Sequence, residues 1–271
     1  MKIWIITSSN DTLALFNFLT KYDHEYVIYY DFAQWPYGDK TFDESLLAVQ
    51  RWVDFLLKKK VDALIVPPLY ELALASTPKI LPLFADYVLK ECFAHSLVGK
   101  IGLIGDFADM QQGQALMKWL EKKYTLNQNQ QAIKKFQRPF AYRKKEVQLR
   151  KYYLSVLSYS DFMVNKVIKF DLRYFKDAMV DTVIPCNYGY FHYQTTITKF
   201  FNFKKIKFHK LEKLEAIFQQ LAESMKLKAE NKKYSVQVFF TGHAEFLQRE
   251  KRLMRLLQRG KSVEVQFEEV K

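Results

Sequence analysis

Cysteine is nearly absent: Cys92 and Cys186 are the two in 271 residues. Two thiols make no disulfide framework and show no zinc-type spacing. A reducing cytoplasm is the simple expectation. Glycine and proline are also scarce, at 8 and 7, which excludes collagen-like and glycine-linker architectures. The histidines, His24, His95, His192, His209 and His243, are scattered, so no metal site is expected from their spacing. No run approaches the roughly 18 apolar residues that a bilayer crossing needs. The apolar run Ile3-Trp4-Ile5-Ile6 near the start is too short for a signal-peptide core. Acidic residues are in deficit, 29 against 42 Lys+Arg, for a net charge of +13. That balance favours polyanions as partners and says nothing about fold.

What is present is ordinary core-forming material. Hydrophobic residues make up 49% and aromatics 16%, enough to offset the ordering entropy of a globular chain. No internal repeat stands out. Ile3 to Ile6 forms a short β-type run, followed by the polar turn Thr7-Ser8-Ser9-Asn10-Asp11-Thr12 and an expected helix from Leu13 to Leu19. Hydroxyls and backbone N–H groups between strand and helix make an anion site; plain N-capping explains the same residues. Tyr26 to Tyr30 is a second strand. Thr41-Phe42-Asp43-Glu44 has the capping-box form and opens a helix with Leu46, Leu47, Val49, Trp52, Val53, Leu56 and Leu57 on its apolar face. Val61 to Val66 is a third, almost wholly apolar strand. Apolar strands alternating with amphipathic helices predict a parallel sheet covered on both faces.

The alternation continues. Leu81 to Cys92 reads as a helix, Lys100 to Gly105 as a buried strand, Gln112 to Tyr124 as a helix and Val180 to Ile184 as a strand ending at Pro185. Leu211 to Met225 is an expected helix, Val236 to Phe240 a strand, Ala244 to Gln258 a helix and Val263 to Phe267 a last strand. The stretch from Leu126 to Arg173 is the least regular and the most basic.

These segments, in this order, resemble the glutamate racemases of the aspartate/glutamate racemase superfamily. That family carries Gly-Asp-Thr-Ala-Arg-x-Pro-Tyr-Gly-Glu-Lys, and here Asp31, Ala33, Pro36, Tyr37, Gly38 and Lys40 stand in register. Val61-Asp62-Ala63-Leu64-Ile65-Val66, Gly99 to Gly105, Val180 to Ile184 and Phe239-Phe240-Thr241-Gly242 continue the likeness. The resemblance implies two doubly wound α/β domains, mostly parallel-sheet, facing a cleft. The expected division is residues 1–96 plus 205–271 for one domain and 97–204 for the other. It also implies cofactor-independent chemistry: one thiolate removes the α-proton of an amino acid and a second thiol reprotonates the opposite face. No cofactor is expected.

The catalytic motifs depart from the family's. Its Asp-Ser-Gly reads Thr7-Ser8-Ser9 here, and its Ala-Cys-Asn-Thr reads Pro67-Pro68-Leu69-Tyr70. Pro68 has no proton to exchange. Its Gly-Cys-Thr-His reads Pro185-Cys186-Asn187-Tyr188-Gly189, where either Cys186 or Asn187 aligns with the second cysteine. The family's threonine-rich turn becomes Asp106-Phe107-Ala108-Asp109. The expectation is a racemase-like chain without working racemase chemistry, whose cleft binds a small amino acid or another small anion, or is vestigial. Ser8, Ser9, Pro36, Tyr37, Gly38, Tyr70 and Asn187 are the candidate ligand-binding residues, and Pro36-Tyr37-Gly38 reads equally as a tight turn. An active isomerase would rely on Cys186 with a non-standard partner such as Tyr70.

A different class of function rests on charge. Lys134, Lys135, Arg138, Arg143, Lys144 and Lys145 lie among Phe136, Phe140 and Tyr142. Cations with interleaved aromatics hold phosphates and stack bases, and a solvated lysine-rich surface explains them equally. A nucleic-acid or protein partner is the second expectation; regulatory contacts of some family members with DNA gyrase supply the analogy. A homodimer is compatible with either reading.

Overall fold

The computed structural model describes residues 2–7, 14–16, 18–19, 21–22, 24–31, 40–59, 61–97, 99–105, 111, 117–119, 122, 141–146, 161–202, 205–225, 235–241 and 265–269. Two all-parallel sheets organise them. The first comprises β1 (Lys2–Thr7), β2 (Glu25–Asp31), β3 (Ala63–Ile65), β7 (Ser235–Thr241) and β8 (Val265–Glu269), in the order β3-β1-β2-β7-β8. The second comprises β4 (Lys100–Gly105), β5 (Ala141–Glu146) and β6 (Thr182–Pro185), in the order β5-β4-β6. Fully apolar strands require cover on both faces, and Ile3, Ile5, Val27, Ile28, Ala63, Leu64, Ile101 and Leu103 are all buried.

Helix α1 (Phe42–Leu57) starts as its sequence dictates. The Thr41 hydroxyl accepts the Glu44 N–H, and the Glu44 carboxylate accepts the Thr41 N–H at 2.9 Å. Its buried residues Val49, Val53 and Leu56 follow the helical repeat, whereas Leu47, expected on the same face, falls off that repeat and is exposed. Beside it, Asp31 closes β2 as a buried clamp, accepting the Trp52 indole N–H and the Thr241 hydroxyl, both at 2.9 Å. Residues 14–16 and 18–19 are helical, and the Tyr26 phenol donates to the Leu19 carbonyl at 2.7 Å. Short helices α2 (Pro68–Ala73) and α3 (Leu83–Tyr87) follow β3, and α3 runs directly into a π-helical turn over Val88–Phe93. The sequence pattern predicts one continuous helix here; the backbone instead widens after Tyr87.

Two elements lie where the sequence reads as irregular. Strand β5 holds Arg143, Lys144 and Lys145, and it is the edge of the second sheet among the described residues. A charged edge resists pairing with another chain, which accounts for cations on a strand that no apolar alternation announces. Helix α4 (Asp161–Asp177) buries Ile168, Leu172 and Phe175, a helical spacing hidden inside a basic composition. Helices α5 (Gln194–Asn202) and α6 (Leu211–Ser224) follow. No helix among the described residues is long and apolar enough to cross a membrane.

Gly102, in the middle of β4, lies under the Phe175 ring: a Cβ there would sit 2.8 Å from two ring carbons and 3.1 Å from Val183 Cγ2. Phe175 is fully buried, so it has little room to give way. Gly102→Ala is expected to destabilise the fold by about 1–3 kcal/mol through overpacking. Phe175→Leu in the same chain is expected to recover part of that loss. Urea unfolding of the single and double variants measures both, and a single variant as stable as the parent would refute the close contact.

Candidate functional site

In open α/β sheets, ligands sit beyond the carboxyl ends of the strands, where the chain order reverses. In the first sheet the reversal falls between β1 and β3, because β2 lies on one side of β1 and β3 on the other. In the second it falls between β4 and β6 for the same reason. The segments leaving these strands are Thr7-Ser8-Ser9, Pro67-Pro68-Leu69-Tyr70, Asp106 to Asp109, and Cys186-Asn187-Tyr188. Four of the segments that the motif comparison singles out thus lie at these reversals, whereas Pro36-Tyr37-Gly38 follows β2, away from them.

The exit from β3 is built of apolar parts. Pro67 is the N-cap residue of α2 and Pro68 its first residue. Proline suits that position, because its missing N–H is one the helix cannot satisfy internally. Tyr70 is buried and stacks on Phe42, with ring centroids 5.3 Å apart and planes at 2°. The Phe42 N–H in turn donates to Gln111 Oε1 at 3.3 Å.

Glu71, a residue the sequence reading did not single out, is buried and ionisable. Its two carboxyl oxygens accept the N–H groups of Phe84 and Ala85, each at 2.8 Å. These are free amides of the first turn of α3, whose own N-cap, Pro82, offers no side chain to satisfy them. Glu71 therefore caps α3 from a neighbouring helix. Burial raises its carboxyl to about 8, against the lowering effect of those two hydrogen bonds.

The exit from β6 meets it. Cys186 is buried, and its N–H donates to the Ile104 carbonyl at 2.7 Å, extending the β4–β6 ladder by one residue. Asn187 is extended and half-buried, and it precedes a 3₁₀ turn over Tyr188–Tyr193. The Tyr188 phenol, also buried, donates to Glu71 Oε2 at 3.5 Å. Residues 71 and 188 thus bring the two strand exits into contact. Glu71 was legible only as an acid in an apolar segment, and its partner amides lie 13 and 14 residues downstream.

Cys92 sits in the π-helical turn, fully buried, and shares a hydrogen bond with the Tyr87 phenol. Burial pushes its thiol far up, so it is inert as an acid or base near neutral pH. Ser8, Ser9, Pro36, Tyr37 and Gly38 lie outside the described residues, as do Lys134, Lys135, Arg138 and the Asp106 to Asp109 turn. The backbone of Arg143, Lys144 and Lys145 is described as strand; their side chains are not.

The protonation of Glu71 gives a signed prediction. The folded chain keeps a proton that the unfolded chain releases near ~4.3. This group's contribution to stability is full below that pH and is lost as pH rises through about 8. The stability of the parent relative to Glu71→Gln should fall between about pH 5 and about pH 8.5 in paired urea titrations. A difference that is flat or rises with pH would overturn the assignment.

No protein-family model matches the sequence, and no curated protein matches it. Solved structures match over nearly the whole chain. A glutamate racemase from Francisella tularensis, solved with D-glutamate, is 16% identical with a TM-score of 0.69, covering 100% of this chain and 97% of its own. A glutamate racemase isoform from Bacillus anthracis is 16% identical with a TM-score of 0.72, covering 98% and 96%. A glutamate racemase from Thermus thermophilus, solved with β-chloro-D-alanine, is 18% identical with a TM-score of 0.71, covering 99% and 96%. At such identities the likeness is one of architecture, and this chain has the fold of the glutamate racemases.

Proposed function

We propose that this chain is a racemase-fold protein without two-base racemisation, and that the region between its two sheets serves to bind a small amino-acid-like anion. The observation that carries the reading is Pro68, placed at the exit of β3 as the first residue of α2. Inverting an α-carbon needs an acceptor on one face and a donor on the other. The thiol at Cys186, on the exit of β6, has no ionisable counterpart at position 68. Losing one of two bases costs about 4 kcal/mol or more, at 1.36 kcal/mol per tenfold in rate.

The other ionisable groups nearby are otherwise engaged. Both oxygens of Glu71 accept backbone amides, the Tyr70 ring is stacked on Phe42, and the Cys92 thiol is held in the core. The binding half of the reading rests on the positions of Ser8, Ser9, Pro36, Tyr37 and Gly38, which follow β1 and β2, and of Asn187, which follows β6. Hydroxyl and amide groups at strand ends suit carboxylates.

The racemase neighbours determine which probes to use. D- and L-glutamate and D- and L-aspartate are incubated with the protein in deuterated water, and α-proton loss is followed by NMR. The expected rate equals that of Cys186→Ala, and exchange well above that control would overturn the loss of activity. Calorimetry with the same four amino acids tests the binding half. Saturable binding weakened by Asn187→Ala is expected, and no heat with any of them would refute it.

A further inference from the structure

The five histidines look scattered in sequence, but folding gathers two of them around one carboxylate. Glu91 and His95 are one helical turn apart, at the end of the π-helical turn. His209 comes from the segment that leads into α6. One ligand atom from each lies within 4.8 Å of the others. Glu91 Oε2 is 3.8 Å from the Nδ1 of His95 and 3.8 Å from the Nδ1 of His209. We propose that Glu91, His95 and His209 form a binding site for a divalent transition metal of the zinc class, which staples together the two segments where the chain crosses between its sheets.

Those segments already run side by side. The chain leaves the first sheet's helices through Ala94 to Gly99 and returns through Lys205 to Lys210. Lys207 donates its N–H to the Asp181 carbonyl at 2.8 Å and its ammonium to the His95 carbonyl at 2.9 Å. Asp181 also accepts the Ser96 hydroxyl and the Leu97 N–H. The Tyr87 phenol donates to the His209 carbonyl at 2.9 Å, which fixes the backbone that presents His209. The cluster is thus mounted on rigid parts of both crossings.

Two polar atoms of the cluster make no hydrogen bond. Glu91 Oε2 and His209 Nε2 are buried without a hydrogen-bond partner, which native structures rarely leave unexplained. The side chains of Glu91 and His209 are only 14% and 11% exposed, whereas His95 is 50% exposed. His95 therefore lies on the solvent side, where a water can complete a three-ligand set. The Nδ1 of His95 faces the Glu91 carbonyl at 2.8 Å. A carbonyl only accepts, so Nδ1 carries the proton and Nε2 keeps the lone pair, an arrangement common for metal-bound histidine. Burial, followed by the charges of His95, Lys207 and Lys213, lowers His209 to about 4.

Lys213 is the competitor. Its ammonium lies 3.3 Å from Glu91 Oε2, but its side chain is 52% exposed. The pair joins a half-exposed lysine to a mostly buried carboxylate, and the lysine is the partner that can turn into solvent. Ligand atoms at about 2.0–2.2 Å from zinc lie roughly 3.3 Å apart in a tetrahedron, and the 3.8 Å between Glu91 Oε2 and His209 Nδ1 is close to that spacing. Nitrogen and carboxylate donors in this mix select zinc, cobalt or nickel over magnesium and calcium.

The test uses the full chain, stripped with chelator and titrated with Zn2+ and Co2+ by calorimetry, visible absorption and thermal unfolding. The expected result is one metal per chain, tetrahedral Co2+ d–d bands and a raised Tm. Glu91→Gln and His209→Gln should each abolish the bands, with circular dichroism confirming that the variants fold. Lys213→Met should tighten binding several-fold by removing the competing cation. Failure of the parent to bind either metal, or bands that persist unchanged in His209→Gln, would overturn the proposal. None of these residues enters the racemisation argument, so the two readings fail separately.

Discussion

A carboxyl group cannot leave water unless something replaces the hydrogen bonds it gives up. Glu71 meets that requirement with two amides from the first turn of the next helix and a phenol from the other sheet's strand exit. Because Glu71 and those partners belong to three different segments, satisfying one side chain positions α2, α3 and the 3₁₀ turn relative to one another. The exits of β3 and β6 are tied together by this buried hydrogen-bonded group. Around it, the described part of the site is aromatic, with Tyr70 and Tyr188 buried.

The same principle of satisfied burial recurs elsewhere in the chain. Asp31 lies in the run most like the racemase motif, yet both of its oxygens are engaged by Trp52 and Thr241, so it holds β2 to α1 and β7. Asp181 does comparable work between the crossings. The cluster of Glu91, His95 and His209 departs from it, because Glu91 Oε2 and His209 Nε2 are buried and make no hydrogen bond. That lack, together with three ligand-type groups converging within 4.8 Å, marks the cluster as a site.

Legibility in the sequence tracked how local each signal is. The capping box at Thr41 and Glu44 requires only four consecutive residues, and it formed as read. Apolar strands such as β3 and β4 need only a two-sided hydrophobic environment, which their composition announces. Strand β5 could not be read this way, because a charged edge strand derives its conformation from pairing with Gly102, Leu103 and Ile104 on β4. Helix α4 carried a usable spacing in Ile168, Leu172 and Phe175, obscured by the surrounding cations. The widened turn over Val88–Phe93 has no local marker that would separate it from an ordinary helix.

The amino-acid order alone therefore settles the alternation of strand and helix, the caps that start α1, and the absence of a thiol at position 68. Each of these depends on neighbours within a few residues or on the identity of a single side chain. Folding alone settles which exits face each other, how Glu71 is protonated, and that His95 and His209 converge on Glu91. Those properties arise from pairs separated by more than a hundred residues, such as Glu71 with Tyr188 and Glu91 with His209. Burial and charge there are set by packing, and no local pattern encodes them.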